Sequence, residues 1–418
     1  MSARKRSSIR SLTASATRAG RRFRRALGRS SVRWRLVAAG LALSGLGLIA
    51  TCQFLGDEER ASAGAGPTPE INVLLTRANR LELRIDGAYS VRNSADQVVG
   101  KGERLSRGLL VPSGSGLALN GRQFGNTQLL FRPEADVTIS IDGKQYPGTV
   151  SVRRAGAGLE VVNHVDMETY VAGVLFSEMP RSFGNEALKA QAVAARSYAR
   201  WRLKNGHSLI LPTQADQVYA GRGPLHRAAS EIVDQTRGEV LEWKGEAFCT
   251  YYSSTCGGGT SPVEKVFTGA AHGAMRGTKC NYCKSSPRYR WQRRLPLRDL
   301  AACFGLADGQ QINEVAQQVD AAGRAHKVEL RGRGFRKSIS GQDFRARWNA
   351  VASAEQQLPA FLFHQIRIEA GQLVIDGGGF GHGVGLCQYG CKGLAAAGLD
   401  YREILNHYYR GAEVVRRW

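Results

Sequence analysis

The sequence predicts an α+β fold that is β-rich, with a central helical segment and long glycine-rich loops shaping a groove. Three patterns carry this expectation. Short alternating or β-branched runs separated by Asp-Gly and Asn-Gly pairs recur between residues 70 and 163, as strands and hairpins do. The segment from about Val165 to Lys204 instead spaces its apolar residues as helices do. Further on, glycine runs at 257–259 and 377–385 leave the backbone open to close approach by a ligand.

In chain order, residues 1–35 form a basic tail with twelve Arg or Lys and no acidic residue. The tail carries about half of the formal charge of +23, and the rest of the 418-residue chain is a moderately basic, Arg-rich body. Such a body suits an anionic polymer or a membrane surface. Zinc-finger, RNP and helix-turn-helix patterns are missing from the sequence, which argues against nucleic acid as a partner. Leu36 to Gly56 is an uncharged apolar run long enough to span a bilayer. The tail before it places the following chain outside the cytoplasm, on the periplasmic or cell-wall side. A cleaved signal peptide is the alternative, with an unusually long basic region; Cys52 makes only a poor lipoprotein site after Thr51. Residues 57–69 read as a linker, 70–163 as the β-rich region and 164–418 as the core that carries the chemistry.

Within the β-rich region, Ile71–Leu75, Leu81–Ile85, Val137–Ile141 and Thr149–Val152 are the expected strands. A short helix then ends at Glu178, because Pro180 stops it. Asn185 is the expected N-cap of a second, alanine-rich helix reaching about Arg200. A helix over Pro224–Thr236 and a hairpin joining Glu239–Trp243 to Ala247–Tyr252 follow. Leu297–Phe304 is an expected helix; Ile312–Val319 and Ala325–Leu330 are expected strands.

Three constellations can carry chemistry. Glu178 is a lone carboxylate at a helix corner among apolar neighbours, a setting that raises a pKa toward that of a proton donor. Its structural reading is a salt bridge to Arg181 or Arg196. One carboxylic acid can cleave a glycosidic bond if a hydroxyl of the substrate is the nucleophile. If water attacks instead, a partner carboxylate is needed, with Asp216 or Asp166 as candidates. The second constellation is Cys256 with the Cys280/Cys283 pair, three ligands of a structural zinc site whose fourth is His272 or Cys387. Disulfides are the competing use of these thiols in an exported protein. The third is His382 between glycines, with Gln388, Tyr389, Ser254 and Thr255 as hydrogen-bonding groups suited to a sugar polymer. The glycine run is no phosphate loop, since no Lys-Ser/Thr follows it.

Three blocks together resemble one family. They are Leu175-Phe176-Ser177-Glu178-Met179-Pro180 with Glu186 to Ala199, then Ser254-Thr255-Cys256-Gly257-Gly258, then Gly381 to Gly390. The chain resembles the SpoIID/LytB family, stage II sporulation protein D and its relatives, over roughly residues 70 to 415. The resemblance implies a lytic transglycosylase of peptidoglycan, with Glu178 as acid/base and glycan strands stripped of stem peptides as substrate. The muramyl 6-hydroxyl would attack its own anomeric carbon and leave a 1,6-anhydro end. It also implies zinc near the Ser-Thr-Cys-Gly-Gly loop. Where relatives carry a histidine soon after those glycines, this chain has Gly259, and Cys387 stands where serine is common, which strengthens Cys387 as a ligand. Arg196, Ser254, Thr255, His382, Gln388 and Tyr389 are expected to line the groove. Rival readings are a wall-binding or amidase-activating module whose partner is a cell-wall amidase, and a hydrolase that uses water.

Overall fold

The structure is a computed structural model that describes residues 66–134, 136–267, 272–307 and 310–418. The basic tail, the expected span at 36–56 and most of the linker lie outside the described residues; within them no helix is long and apolar enough to cross a membrane. The described helices are α1 (Met167–Glu178), α2 (Asn185–Lys204), α3 (His226–Asp234), α4 (Leu297–Cys303), α5 (Gly341–Val351), α6 (Gln388–Ala396) and α7 (Tyr401–Tyr408). With several antiparallel sheets around them, the protein is α+β and β-rich.

Residues 70–166 form two six-stranded sheets. The first runs in the order 70–78, 158–166, 149–155, 128–133, 89–92, 98–102; the second runs 144–146, 139–141, 81–85, 105–113, 116–119, 122–124. Strand alternation sets the packing: in Leu81–Ile85, Leu81, Leu83 and Ile85 are buried while Glu82 and Arg84 face outward. Asn120-Gly121 and Asp142-Gly143 turn with positive φ at both residues, as two-residue hairpin turns require.

The strand 158–166 runs directly into α1, whose start Asp166 caps by accepting from the amides of Glu168 and Thr169 at 3.1 Å. Helix α1 has little amphipathic character because it is enclosed on nearly every side. Helix α2 passes through the centre, and its alanines let α1, α3, α6 and α7 approach closely. Asn185 is the first residue of α2 and not its cap, a place taken by Gly184 at φ 92°. Sheet residues such as Ile71 and Val152 and helix residues such as Tyr170 and Leu188 share one apolar core.

A second core lies between the two glycine runs in sequence. Phe304, Phe344, Trp348 and Phe363 pack there beneath α4, α5 and two three-stranded sheets, 291–296/372–378/362–369 and 314–319/325–332/335–339. Helix α4 and the strands 314–319 and 325–332 correspond to the expected elements there. The long hairpin expected at 239–252 is shorter than the pattern suggests. Only Glu246–Ala247 pairs back on Glu242–Trp243, and Glu413–Arg416 takes the other edge of Glu239–Trp243. The chain then turns away, held by a hydrogen bond from Thr250 Oγ1 to the Ala194 carbonyl, and Tyr252–Ser253 pairs in parallel with Leu386–Cys387. That pairing joins the two glycine loops.

Candidate active site

A cleft of about 540 Å³ opens where the end of α1, the segment 214–218, the segment 250–254, the loop 380–382 and helix α5 converge. Glu178 lines it from the last position of α1, where Pro180 ends the helix. One carboxylate oxygen accepts from the Val218 amide at 2.7 Å. Burial raises the Glu178 pKa above the usual carboxylate range; the Val218 amide and the nearby Gln388 and Tyr252 side chains act against that rise by favouring the charged form. The expected salt bridge is not formed: Arg196 is paired elsewhere, and among the described residues no cation pairs with Glu178.

A relay of side chains fixes this corner. Tyr170 Oη donates to Gln217 Oε1 at 3.0 Å, and Gln217 Nε2 donates to Tyr252 Oη at 3.0 Å and to the Ala195 carbonyl at 3.3 Å. With its lone pair engaged by Gln217, Tyr252 keeps its own proton to offer to Glu178. Burial pushes the pKa of Tyr252 well up, so the phenol stays protonated. Gln217, Val218 and Tyr252 were not among the residues expected from sequence; Gln217 and Val218 lie in a segment that reads only as a loop.

The second carboxylate of the cleft, Asp216, is committed. It accepts from Tyr198 Oη at 2.6 Å and from the Leu211 amide at 2.8 Å, and pairs with Arg202 at 3.4 Å. Asp166 caps the far end of α1, twelve residues from Glu178 and so about 18 Å away along the helix axis. Neither offers a free partner carboxylate beside Glu178.

Of the residues expected to line the groove, Ser254, His382 and Gln388 do so. His382 spends both ring nitrogens on backbone: Nδ1 accepts from the Val384 amide at 3.1 Å, so Nε2 carries the proton donated to the Tyr252 carbonyl at 2.8 Å. Burial lowers its pKa to about 4, and the neutral ring packs edge-on against Phe267 and Tyr251 as part of the wall. It therefore shapes the cleft, where a direct hydrogen-bonding role was expected. Three expected residues lie elsewhere. Arg196 is fully buried under α1, paired with Glu168 at 2.6 Å and donating to the Glu239 carbonyl at 3.0 Å. Thr255 is fully buried on Ser286 at 2.7 Å, and Tyr389 packs edge-on against Phe183.

Beneath the Ser254 wall, the sulfurs of Cys256, Cys280, Cys283 and Cys387 lie within 4.8 Å of one another, all buried. All four thiols are free, and the 3.6 Å between the Cys256 and Cys283 sulfurs is far beyond a disulfide bond. It is close to the roughly 3.8 Å between sulfurs that share a tetrahedral zinc. The donor set fits that ion. Cys387 Sγ accepts from the Cys256 and Gly390 amides at 3.2 and 3.3 Å, and Cys280 meets Tyr408 Oη at 3.3 Å, contacts that suit thiolates. Before an ion binds, hydrogen bonding from Cys256 pulls the Cys280 and Cys283 thiols toward thiolate, while the same bonds hold Cys256 protonated and burial pushes the Cys387 thiol up. The other candidate, His272, is stacked on Phe248 at 4.5 Å and takes no part. Arg324 reaches this loop from the second core, donating to the Gly259 carbonyl at 2.8 Å and to that of Cys256. Its guanidinium occupies the space a Cβ on Gly383 would need, at a φ of +68°.

Residues 155–243, which include α1, α2 and α3, match the sequence profile of the family described as Stage II sporulation protein. An uncharacterized protein of Brachyspira hyodysenteriae is 32% identical over 73% of this chain and 82% of its own length. Stage II sporulation protein D of Bacillus amyloliquefaciens is 29% identical over 65% of this chain and 80% of its own length. A Bacillus subtilis protein named Amidase enhancer is 28% identical over 70% of this chain but only 47% of its own length.

Proposed function

The chain belongs to the SpoIID (stage II sporulation protein D) family, and from that premise we propose that it is a lytic transglycosylase cutting peptidoglycan glycan strands freed of stem peptides. The observation that carries the reading is a cleft with one available carboxyl group among the described residues, Glu178, whose pKa burial raises, while Asp216 is tied to Tyr198, Arg202 and Leu211. A water-using hydrolase needs a second free carboxylate; an intramolecular attack does not.

In the proposed reaction, protonated Glu178 gives its proton to the glycosidic oxygen as the muramyl C1–O bond breaks. The carboxylate so formed takes the proton of the muramyl 6-hydroxyl as O6 bonds to C1. The strand divides into a 1,6-anhydromuramyl end and an N-acetylglucosamine end with a free 4-hydroxyl; no water is consumed, and Glu178 is again protonated. Val218, Gln388 and Tyr252 hold the carboxylate in place for both transfers. Zinc is proposed as a structural cofactor held by Cys256, Cys280, Cys283 and Cys387; when bound it supplies no chemistry to the cut and staples the two glycine loops. The apolar run at 36–56 would anchor the enzyme with its cleft outside the cytoplasm.

A second reading rests on the relative named Amidase enhancer: the protein would hold the wall and activate a cell-wall amidase without cutting. Digestion of purified glycan strands by wild type and Glu178→Gln, read by mass spectrometry, decides. Wild type should release ends lighter by one water than reducing ends, and the variant none. Full activity in the variant overturns the assignment of Glu178. Reducing ends point to a hydrolase, and wall retention without products to the amidase-activating module.

A further inference from the structure

Among the described residues, Arg345 is the arginine that lines the cleft, and its fork is free. Arg202 is paired with Asp216, and Arg324 with two carbonyls. Arg345 lines the cleft from α5, and only its Nε is engaged, donating to the Leu358 carbonyl at 2.9 Å. Among the described residues no acidic group pairs with its two terminal nitrogens. Its charge lies close enough to His382 to help keep that ring neutral.

The position is built, not incidental. Ser340 caps α5 by accepting from the Asp343 amide at 3.0 Å. The helix start presses so closely on Ala325 that a Cβ on Gly341 would fall 1.8 Å from its carbonyl oxygen. Phe344 and Trp348 are fully buried on one side, and Gln342 and Arg345, one turn apart, share the side facing the cleft. Leu358, which holds the Arg345 Nε, is itself clamped: its amide donates to Asn349 Oδ1 at 2.7 Å, and Asn349 Nδ2 donates to its carbonyl at 3.1 Å.

A guanidinium held by Nε presents Nη1 and Nη2 as a pair matched to a carboxylate. The acidic lining residues do not take that place, Asp216 being committed and Glu178 uncharged in its donor form. A glycan of alternating N-acetylglucosamine and N-acetylmuramic acid carries one carboxylate per repeat, on the lactyl ether of the muramyl residue. It is free only when no stem peptide is attached, since the peptide converts it to an amide. We propose that Arg345 is a specificity-determining residue that binds this free lactyl carboxylate, so that helix α5 selects peptide-free strands. The proposal rests on the glycan-cutting reading above.

The test changes the substrate as well as the protein. Three strand preparations are compared: peptide-free strands, the same strands with the lactyl carboxylates reduced to alcohols, and strands that keep their stems. For wild type, KM should rise about 10- to 100-fold on reduced or stem-bearing strands, with kcat on the reduced strands little changed, the size expected for losing a charge-assisted hydrogen-bonded pair. Arg345→Gln should bind peptide-free and reduced strands equally weakly, and Arg345→Lys should recover part of the preference, having charge but no fork. Dissociation constants measured for the same strands in a Glu178→Gln background read the preference without turnover. They keep this test separate from the question of whether the strand is cut. Equal affinity of the Arg345-containing protein for peptide-free and reduced strands overturns the proposal, as does a preference that survives Arg345→Gln.

Discussion

The two walls of the cleft are built on different foundations. Glu178 and Val218 stand on α1 and its neighbouring segment, which belong to the large core shared by the sheets and central helices. Beneath them the Arg196–Glu168 pair is buried, with Glu168 also accepting from the Gly238 amide at 3.1 Å and Trp418 Nε1 at 2.8 Å. The opposite wall, Gln342 and Arg345, stands on α5 over a separate apolar core. Arg324 ties that lobe to the thiol-bearing loop. The contrast teaches where each task sits. A carboxyl group with a displaced pKa needs surroundings whose polar groups are all committed, because any mobile dipole would relax around the charged form. An uncommitted cation can sit on the helix over the second core.

This contrast can be broken most severely at Glu178. Glu178→Gln should lower turnover by at least about a thousandfold, the upper part of what general acid–base catalysis contributes, while the melting temperature holds or rises slightly. The sign follows from the direction of its pKa. Because the folded-state value is raised, the stability Glu178 contributes is present at low pH and fades as pH rises from the unfolded-state value through the folded one. Activity that depends on the protonated acid should fall over the same rise.

The foundation of the first wall comes next. Arg196→Met strands a buried Glu168 and should cost about 3–5 kcal/mol in a denaturant titration, whereas a residue that only touched substrate would leave stability unchanged. Metal extraction tests the staple between the two glycine loops: purified protein should hold about one zinc, and chelation should lower its melting temperature as the Cys256 and Cys387 loops come apart. Equal melting temperatures with and without chelator, or disulfides found by mass spectrometry, would remove zinc from the picture. The smallest expected effect is at Tyr252. Its hydroxyl favours charged Glu178, so Tyr252→Phe should move the alkaline limb of the pH–rate profile upward by less than about one unit, with little change in fold.

Much of this protein was legible in its residue pattern. The strands from Ile71 to Val152, the corner at Glu178 and the helix of small residues follow from periodicity and a proline stop, whereas the pairing of the two glycine runs as one site follows from Cys256 and Cys387 as shared ligands and from the family resemblance. Helix α5 was missed although Ser340 with Asp343 three residues on, and Phe344 with Trp348 at i and i+4, are its start signal and buried face. With it Arg345 was missed. The sequence by itself determined which residues could carry charge, bind metal or donate a proton, because those are properties of side chains. Only the tertiary structure decided which of them are free to act. Arg196 and Arg345 are the same residue type in helices, yet one spends its guanidinium on Glu168 and the Glu239 carbonyl while the other leaves two nitrogens unpaired among the described residues. Partners that far apart in the chain are set by long-range packing, and burial, which makes a pairing obligatory or leaves it open, exists only once the chain is folded.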